Sequence, residues 1–222
     1  MVSAVLLLTA CVQLAWVFLL WARTTRVARI WLLGLVGIGL AYDSAVVGLG
    51  AMLGEGPLLY ASSVGRFVGH ALLTPLLVLW AADRTGASPR WRRSALVITV
   101  ALVAWGVLAE LPHLRLVPRR FADTFRYSAE SPAPPVPALV VTAVLIAAGI
   151  VLWRSEGRRS PLLGTGLLLL ASAAAVAVPP LGNVGEAVLL AALTGAEVDG
   201  SARKLAQVRW MTISRSRGGT RP

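Results

Sequence analysis

The chain has 222 residues, of which 57% are hydrophobic and 14% charged, and its mean hydropathy is +0.74. A water-soluble domain carries about 25% charged residues, so a soluble globular fold is excluded and a membrane protein is indicated. The formal charge of +11 would point to nucleic acid in a soluble protein. Here the arginines stand between apolar runs, where they serve topology and lipid headgroups instead.

Residues 3–22 form the first apolar run, followed by Arg23, Arg26 and Arg29. Leu8-Thr9-Ala10-Cys11 has the look of a lipoprotein processing box, but no basic residue precedes it and the run continues past it. Cys11, the only cysteine, therefore reads as a small packing residue of helix 1, and no intrachain disulfide is possible. The second run, residues 30–53, is rich in glycine and interrupted by Asp43. Gly54-Glu55-Gly56-Pro57 predicts a tight turn, because glycine takes positive φ freely and proline cannot continue a helix. The third run, residues 58–82, carries Arg66 and His70, and a basic loop leads to the fourth at residues 94–111.

Residues 112–135 make the one long connection, with Arg119, Arg120, Phe121, Phe125 and Tyr127 in it and Pro132, Pro134 and Pro135 at its end. It reads as an amphipathic interfacial segment with an extended exit. The fifth and sixth runs are residues 136–153 and 161–178, and Pro179-Pro180 separates them from a seventh at residues 181–196. A membrane helix needs about 20 apolar residues to cross a hydrocarbon core of about 30 Å. The expectation is an all-α polytopic membrane protein: one domain of seven transmembrane helices over residues 1–200, then a basic tail over residues 201–222.

Orientation follows from the arginine and lysine count. Sixteen fall on the side holding the first, third and fifth connections and the tail, against four in the long connection. Positive charge marks the cytoplasmic side, which predicts a multi-pass protein of the cell membrane, N-terminus outside and C-terminus cytoplasmic. Trp21, Trp80, Trp91 and Trp153 fall near the expected cytoplasmic helix ends, at interfacial depth.

Charges within a bilayer are costly and gather in bundle interiors or wet cavities, so the few present carry the functional information. At about 1.5 Å per residue, Asp43 lies about 14 Å below the outer end of helix 2 and Arg66 about 12 Å below that of helix 3. The two helices share a short turn, so Asp43 and Arg66 are at matching depth and can pair. Ser62, Arg66, His70 and Thr74 are four apart and form a polar stripe on helix 3. Asn183 and Glu186 are one turn apart near the outer end of the last helix, while Glu55 and Glu110 sit at outer helix ends. These positions predict a chamber toward the outer leaflet, walled by helices 2, 3 and 7. Gln13 reads as glue between helices, and the glycines of helix 2 as close-packing positions. There is no phosphate-binding glycine loop, nucleophile elbow or cysteine-histidine metal set, so no cofactor or metal is expected.

Tyr42-Asp43, Gly54-Glu55-Gly56-Pro57, Arg66-Phe67, His70-Ala71-Leu72 and Thr74-Pro75, on a seven-helix plan with a further acid on the last helix, resemble the integral membrane terpene cyclases. These include the small drimentine-type cyclases of actinomycetes and the fungal meroterpenoid and indole-diterpene enzymes. The fungal enzymes carry a Glu near helix 2 and an Asp on the last helix, whereas here the types are exchanged as Asp43 and Glu186. The resemblance implies a metal-free cyclase that protonates the prenyl chain of a lipid-like substrate, a prenylated aromatic or indole, drawn from the membrane. Asp43 and Glu186 are then the candidate proton donors, with Asp43 the first choice. Tyr42, Glu55, Tyr60, Arg66, Phe67, His70, Trp105 and Asn183 would line the substrate site.

The chemistry agrees with the residues. A carboxyl group in an apolar chamber keeps its proton and acts as a general acid, and aromatic faces steady a carbocation. A direct Arg66 contact would make Asp43 a poor acid and shift the donor role to Glu186 or Glu55. The same residues also fit a small proton-coupled transporter or channel, or a non-catalytic scaffold whose polar groups saturate one another.

Overall fold

Inside hydrocarbon every backbone polar group must be satisfied within the chain, which leaves the helix as the natural state of a long apolar run. The computed structural model follows that rule and describes residues 1–24, 27–131 and 135–218, with side chains to residue 200. Expectations concerning Arg26, Pro132, Pro134 and the side chains of the basic tail fall outside the described residues.

Helices α1 (Val2–Arg23) and α2 (Ala28–Leu53) form an antiparallel pair. They approach closely because α2 presents glycine to α1: a Cβ on Gly37 would stand 2.5 Å from a Val17 methyl carbon. Cys11 lies on the outward face of α1, exposed, and not in the packed seam where the sequence placed it. Gln13 is buried in the bundle, and its amide has no partner among the described residues.

The third apolar run is broken into α3 (Pro57–Leu73) and α4 (Leu76–Arg84), which together make one segment long and apolar enough to cross a membrane. Pro75 has no N–H to give to Ala71, so the chain tightens there to short-range bonds from Leu77 to Thr74 and from Val78 to Pro75. Thr99 of α5 (Pro89–Trp105) donates its hydroxyl to the Pro75 carbonyl at 3.3 Å. After α5 the chain passes through a π-helical turn, Gly106–Glu110, and a 3-10 turn, Leu111–His113.

The long connection, expected as an amphipathic interfacial segment, folds as strands. It is a β-hairpin of β1 (Leu116–Phe121) and β2 (Thr124–Ala129) with a two-residue turn at Ala122-Asp123. Then follow α6 (Val136–Glu156), α7 (Ser160–Ala174) and α8 (Pro180–Gly218). Among the described residues six segments are long and apolar enough to span a membrane, while α7, with 15 residues, is shorter. Large apolar side chains such as Phe18, Leu163 and Leu170 stand exposed around the outside, as a surface facing lipid requires.

At the end opposite the hairpin the bundle is closed by charge. Arg29 Nε donates to both Glu197 oxygens at 3.0 and 3.2 Å, and the indole N–H of Trp80 reaches Glu197 Oε1 at 3.1 Å. Arg84 grips Glu156 with two bonds of 2.7 and 2.8 Å, and Arg158 bridges Glu156 at 3.0 Å and Asp199 at 3.4 Å. Arg29 and Arg92 both reach Asp83, at 3.2 and 3.4 Å. The sequence places these arginines at headgroups and Trp80 at an interface, whereas they pair across the end of the bundle. Charge counting registers which side a residue is on, not its partner, and these partners lie up to 168 residues apart. With Glu197 neutralised, nothing stops α8 at residue 196, and the helix runs on to Gly218.

Candidate functional site

The four-residue spacing on α3 brings its polar stripe to the side facing α2 and α8. Arg66 donates Nε to Asp43 Oδ1 at 2.6 Å, as the matched depths predict. From α8, Asn183 donates Nδ2 to the other Asp43 oxygen and also to Ser44 Oγ at 3.3 Å. His70 Nε2 stands 3.5 Å from Asp43 Oδ1 and 3.8 Å from Glu186 Oε1, and Thr74 Oγ1 is 3.4 Å from its Nδ1. Both Asp43 oxygens thus accept from neighbours. Glu186 Oε2, by contrast, is buried with no hydrogen-bond partner among the described residues.

These groups surround a cavity of about 230 Å³ lined by Asp43, Arg66, Phe67, His70, Gly182, Asn183 and Glu186. The side chain of Asp43 is 5% exposed, that of Glu186 21% and that of His70 40%, so Asp43 is the deepest group and His70 stands at the rim. Toward the charged end, Val36, Leu40 and Leu73 enclose a space of about 10 Å³, no more than one water needs. Leu33, Leu77 and Trp80 then form the packed core.

Four of the expected site residues lie elsewhere. Tyr42 is 40% exposed, and its hydroxyl donates to the Ser62 carbonyl at 2.9 Å on the outer side of α3. It is next to Asp43 in sequence, but 100° of helical turn separates neighbours, as the geometry of about 3.6 residues per turn dictates. Glu55 is exposed in the α2–α3 turn. Tyr60 stacks edge-on against Tyr127 with ring centroids 5.3 Å apart. Trp105 is 51% exposed at the end of α5. Of the aromatic candidates only Phe67 lines the cavity.

The hairpin is the feature that sequence reasoning missed. Phe125 and Tyr127 pack from one face of β2 onto Val46 and Leu59, which docks the hairpin over α2 and α3. The approach is close enough to need glycine: a Cβ on Gly50 would lie 1.7 Å from the Phe125 carbonyl oxygen. At the turn, Asp123 accepts from the amino group of Met1 and from the Val2 and Ser3 amides, the last two at 2.7 and 3.3 Å. The Met1 amino group holds the Asp123 carboxyl down at about 2. Arg126 alternates to the other face of β2 and is half-buried. Burial and repulsion by Arg66 hold its guanidinium below its ordinary value, partly offset by Asp43. The alternation Thr124-Phe125-Arg126-Tyr127 was the available signal for a strand.

Asp43, His70 and Glu186 each offer one ligand atom, all within 4.8 Å of one another, the spacing of a metal site. A cation there would compete with the Arg66 guanidinium for Asp43 Oδ1, which already accepts from it at 2.6 Å. Two carboxylates bridged by an imidazole, with an arginine fixing one of them, suit the movement of a proton better than the caging of a divalent ion. The chain matches no family model, no curated protein and no solved structure.

Proposed function

We propose that the chain is a membrane-embedded, metal-independent cyclase that protonates the prenyl chain of a lipid-like substrate, a prenylated aromatic or indole, with its hairpin end facing the outside of the cell membrane. The observation that carries this reading is Glu186 Oε2, a buried carboxyl oxygen without a partner at the wall of a cavity. A carboxyl so placed is free to act on whatever enters. Asp43, both of whose oxygens are taken by Arg66 and Asn183, is then the group that positions Arg66 and His70, and Glu186 is the donor.

In this reading the Glu186 proton passes to the terminal alkene carbon, or to an epoxide oxygen, leaving a carboxylate. The cation that forms is attacked by the next double bond, closing a ring, and is quenched when the last cation gives up a proton. His70, 3.8 Å from Glu186, is placed to return it. Phe67 offers its face to the cation, an attraction of about 0.5–2 kcal/mol. At about 230 Å³ the cavity is smaller than the roughly 300–1,000 Å³ of sites that enclose a whole ligand. Only the reacting end of a long chain fits, which agrees with a substrate that stays largely in lipid.

A transporter needs a path to both sides. The packed core beneath the cavity and the charged ring beyond it favour the cyclase, as does the unsaturated Glu186 over an inert scaffold. Conversion of a farnesylated aromatic by membranes containing the protein tests the proposal. Glu186→Gln is expected to lose activity by about 100-fold or more and Asp43→Asn to lose part of it. Full activity in both variants would remove the reading.

A further inference from the structure

The hairpin carries an arrangement that proton transfer does not use. Arg119 and Arg126 are directly opposed across the two strands, so their side chains leave the same face, and like charges so placed destabilise a sheet. That face is the reverse of the one through which Phe125 and Tyr127 pack. Arg126 is half-buried, lacks an acceptor among the described residues, and stands near enough to Arg66 for the two guanidinium groups to repel. Arg66 gives Asp43 only its Nε; Nη1 and Nη2 have no acceptor among the described residues. Arg126 is thus within electrostatic reach of both Arg66 and Asp43, and Arg119 stands opposite it across the hairpin. The fork of a guanidinium matches the oxygens of phosphate and carboxylate.

We propose that Arg126 and Arg119, with the free fork of Arg66 beneath them, form a subsite for the phosphate or carboxylate group of an anionic amphiphile, whose apolar chain passes Phe67 with only its far end entering the cavity toward Glu186. The clamp of Gly50 against the Phe125 carbonyl fixes the neighbouring Arg126 in place, so the receptor is built before the ligand arrives. Seven residues separate Gly50 from Asp43 on α2, about 10 Å of helix, which sets the headgroup above the acid cluster and the chain beside it. This is a claim about binding and holds whether or not cyclisation follows at Glu186.

The test uses the full-length chain in nanodiscs of zwitterionic lipid, titrated with farnesyl phosphate, farnesol and inorganic phosphate. Farnesyl phosphate is expected to bind about tenfold or more tighter than farnesol, and Arg126→Gln to erase most of that preference while Arg126→Lys keeps part of it. Ligand-free Arg126→Gln is expected to melt no lower than the parent chain, because the substitution removes repulsion. Inorganic phosphate much weaker than farnesyl phosphate assigns the site to a lipid headgroup; equal affinities keep the anion subsite but assign it to a free anion and overturn the amphiphile. Equal binding of farnesyl phosphate and farnesol, or an undiminished preference in Arg126→Gln, overturns the subsite itself. A lower melting point in ligand-free Arg126→Gln does so too, by making Arg126 a structural residue.

Discussion

At the scale of single residues, the pair Asp43–Arg66 is the pivot of the site. Its side chains are 5% and 12% exposed, so removing one charge strands the other where water is scarce. Breaking such a pair typically costs about 3–5 kcal/mol, whereas replacing both partners with apolar groups is often close to neutral. Asp43→Asn should therefore lower the melting temperature in detergent markedly, partly because its new N–H₂ group would face the donating amide of Asn183. Adding Arg66→Met should recover much of the loss. Losses that simply add in the double variant would show that the two residues do not act as a pair.

The sequence makes this group of residues legible because charge in hydrocarbon is costly and the helical period is known. Asp43, Arg66, His70, Asn183 and Glu186 are placed together by depth and spacing alone. Tyr42, Tyr60 and Trp105 lie outside the cavity lining for a physical reason: depth says nothing about azimuth, and an aromatic ring is equally stable facing lipid. The charged ring of Arg29, Arg84, Glu156 and Glu197 is also hidden in the sequence, since each of its helix ends looks like an ordinary topogenic cluster.

At the scale of elements, the hairpin and the break at Pro75 are what the apolar runs did not disclose. The turn of the hairpin is Ala122-Asp123, with Ala122 at φ 50°, where the usual signal is Asn-Gly or Asp-Gly. Pro118 in β1 further weakens the strand pattern, although it is tolerable on an edge strand. What holds the hairpin is tertiary: Phe125 and Tyr127 on Val46 and Leu59, Asp123 on the start of α1, and the bare backbone of Gly50 against the Phe125 carbonyl. Gly50→Ala should thus lift β2 off α2 while leaving the helices intact. Limited proteolysis should cut within residues 115–130 faster in the variant than in the parent chain, with helical content unchanged by circular dichroism. Equal cleavage rates would mean that the contact at Gly50 does not hold the hairpin.

At the scale of the whole molecule, two ends with different chemistry bracket a packed middle. One end is a ring of four arginines and four carboxylates that balance, and it binds α2, α4, α5, α6 and α8 together. The other holds the cavity and the hairpin above it, where guanidinium groups outnumber carboxylates. Rigidity at the ring and access near the hairpin suit the proposed catalyst, whose acid would have to stay fixed while a lipid-borne chain enters and leaves.

The central claim is that Glu186 delivers a proton to carbon or oxygen of a bound prenyl chain. It is tested most directly by incubating the full-length protein in membranes made up in deuterated water with a farnesylated aromatic, and analysing the product by mass spectrometry and NMR. The account predicts a cyclised product carrying one solvent-derived deuterium at the position protonated first, and almost none of it from Glu186→Gln. Cyclised product formed at the parental rate by Glu186→Gln would contradict it.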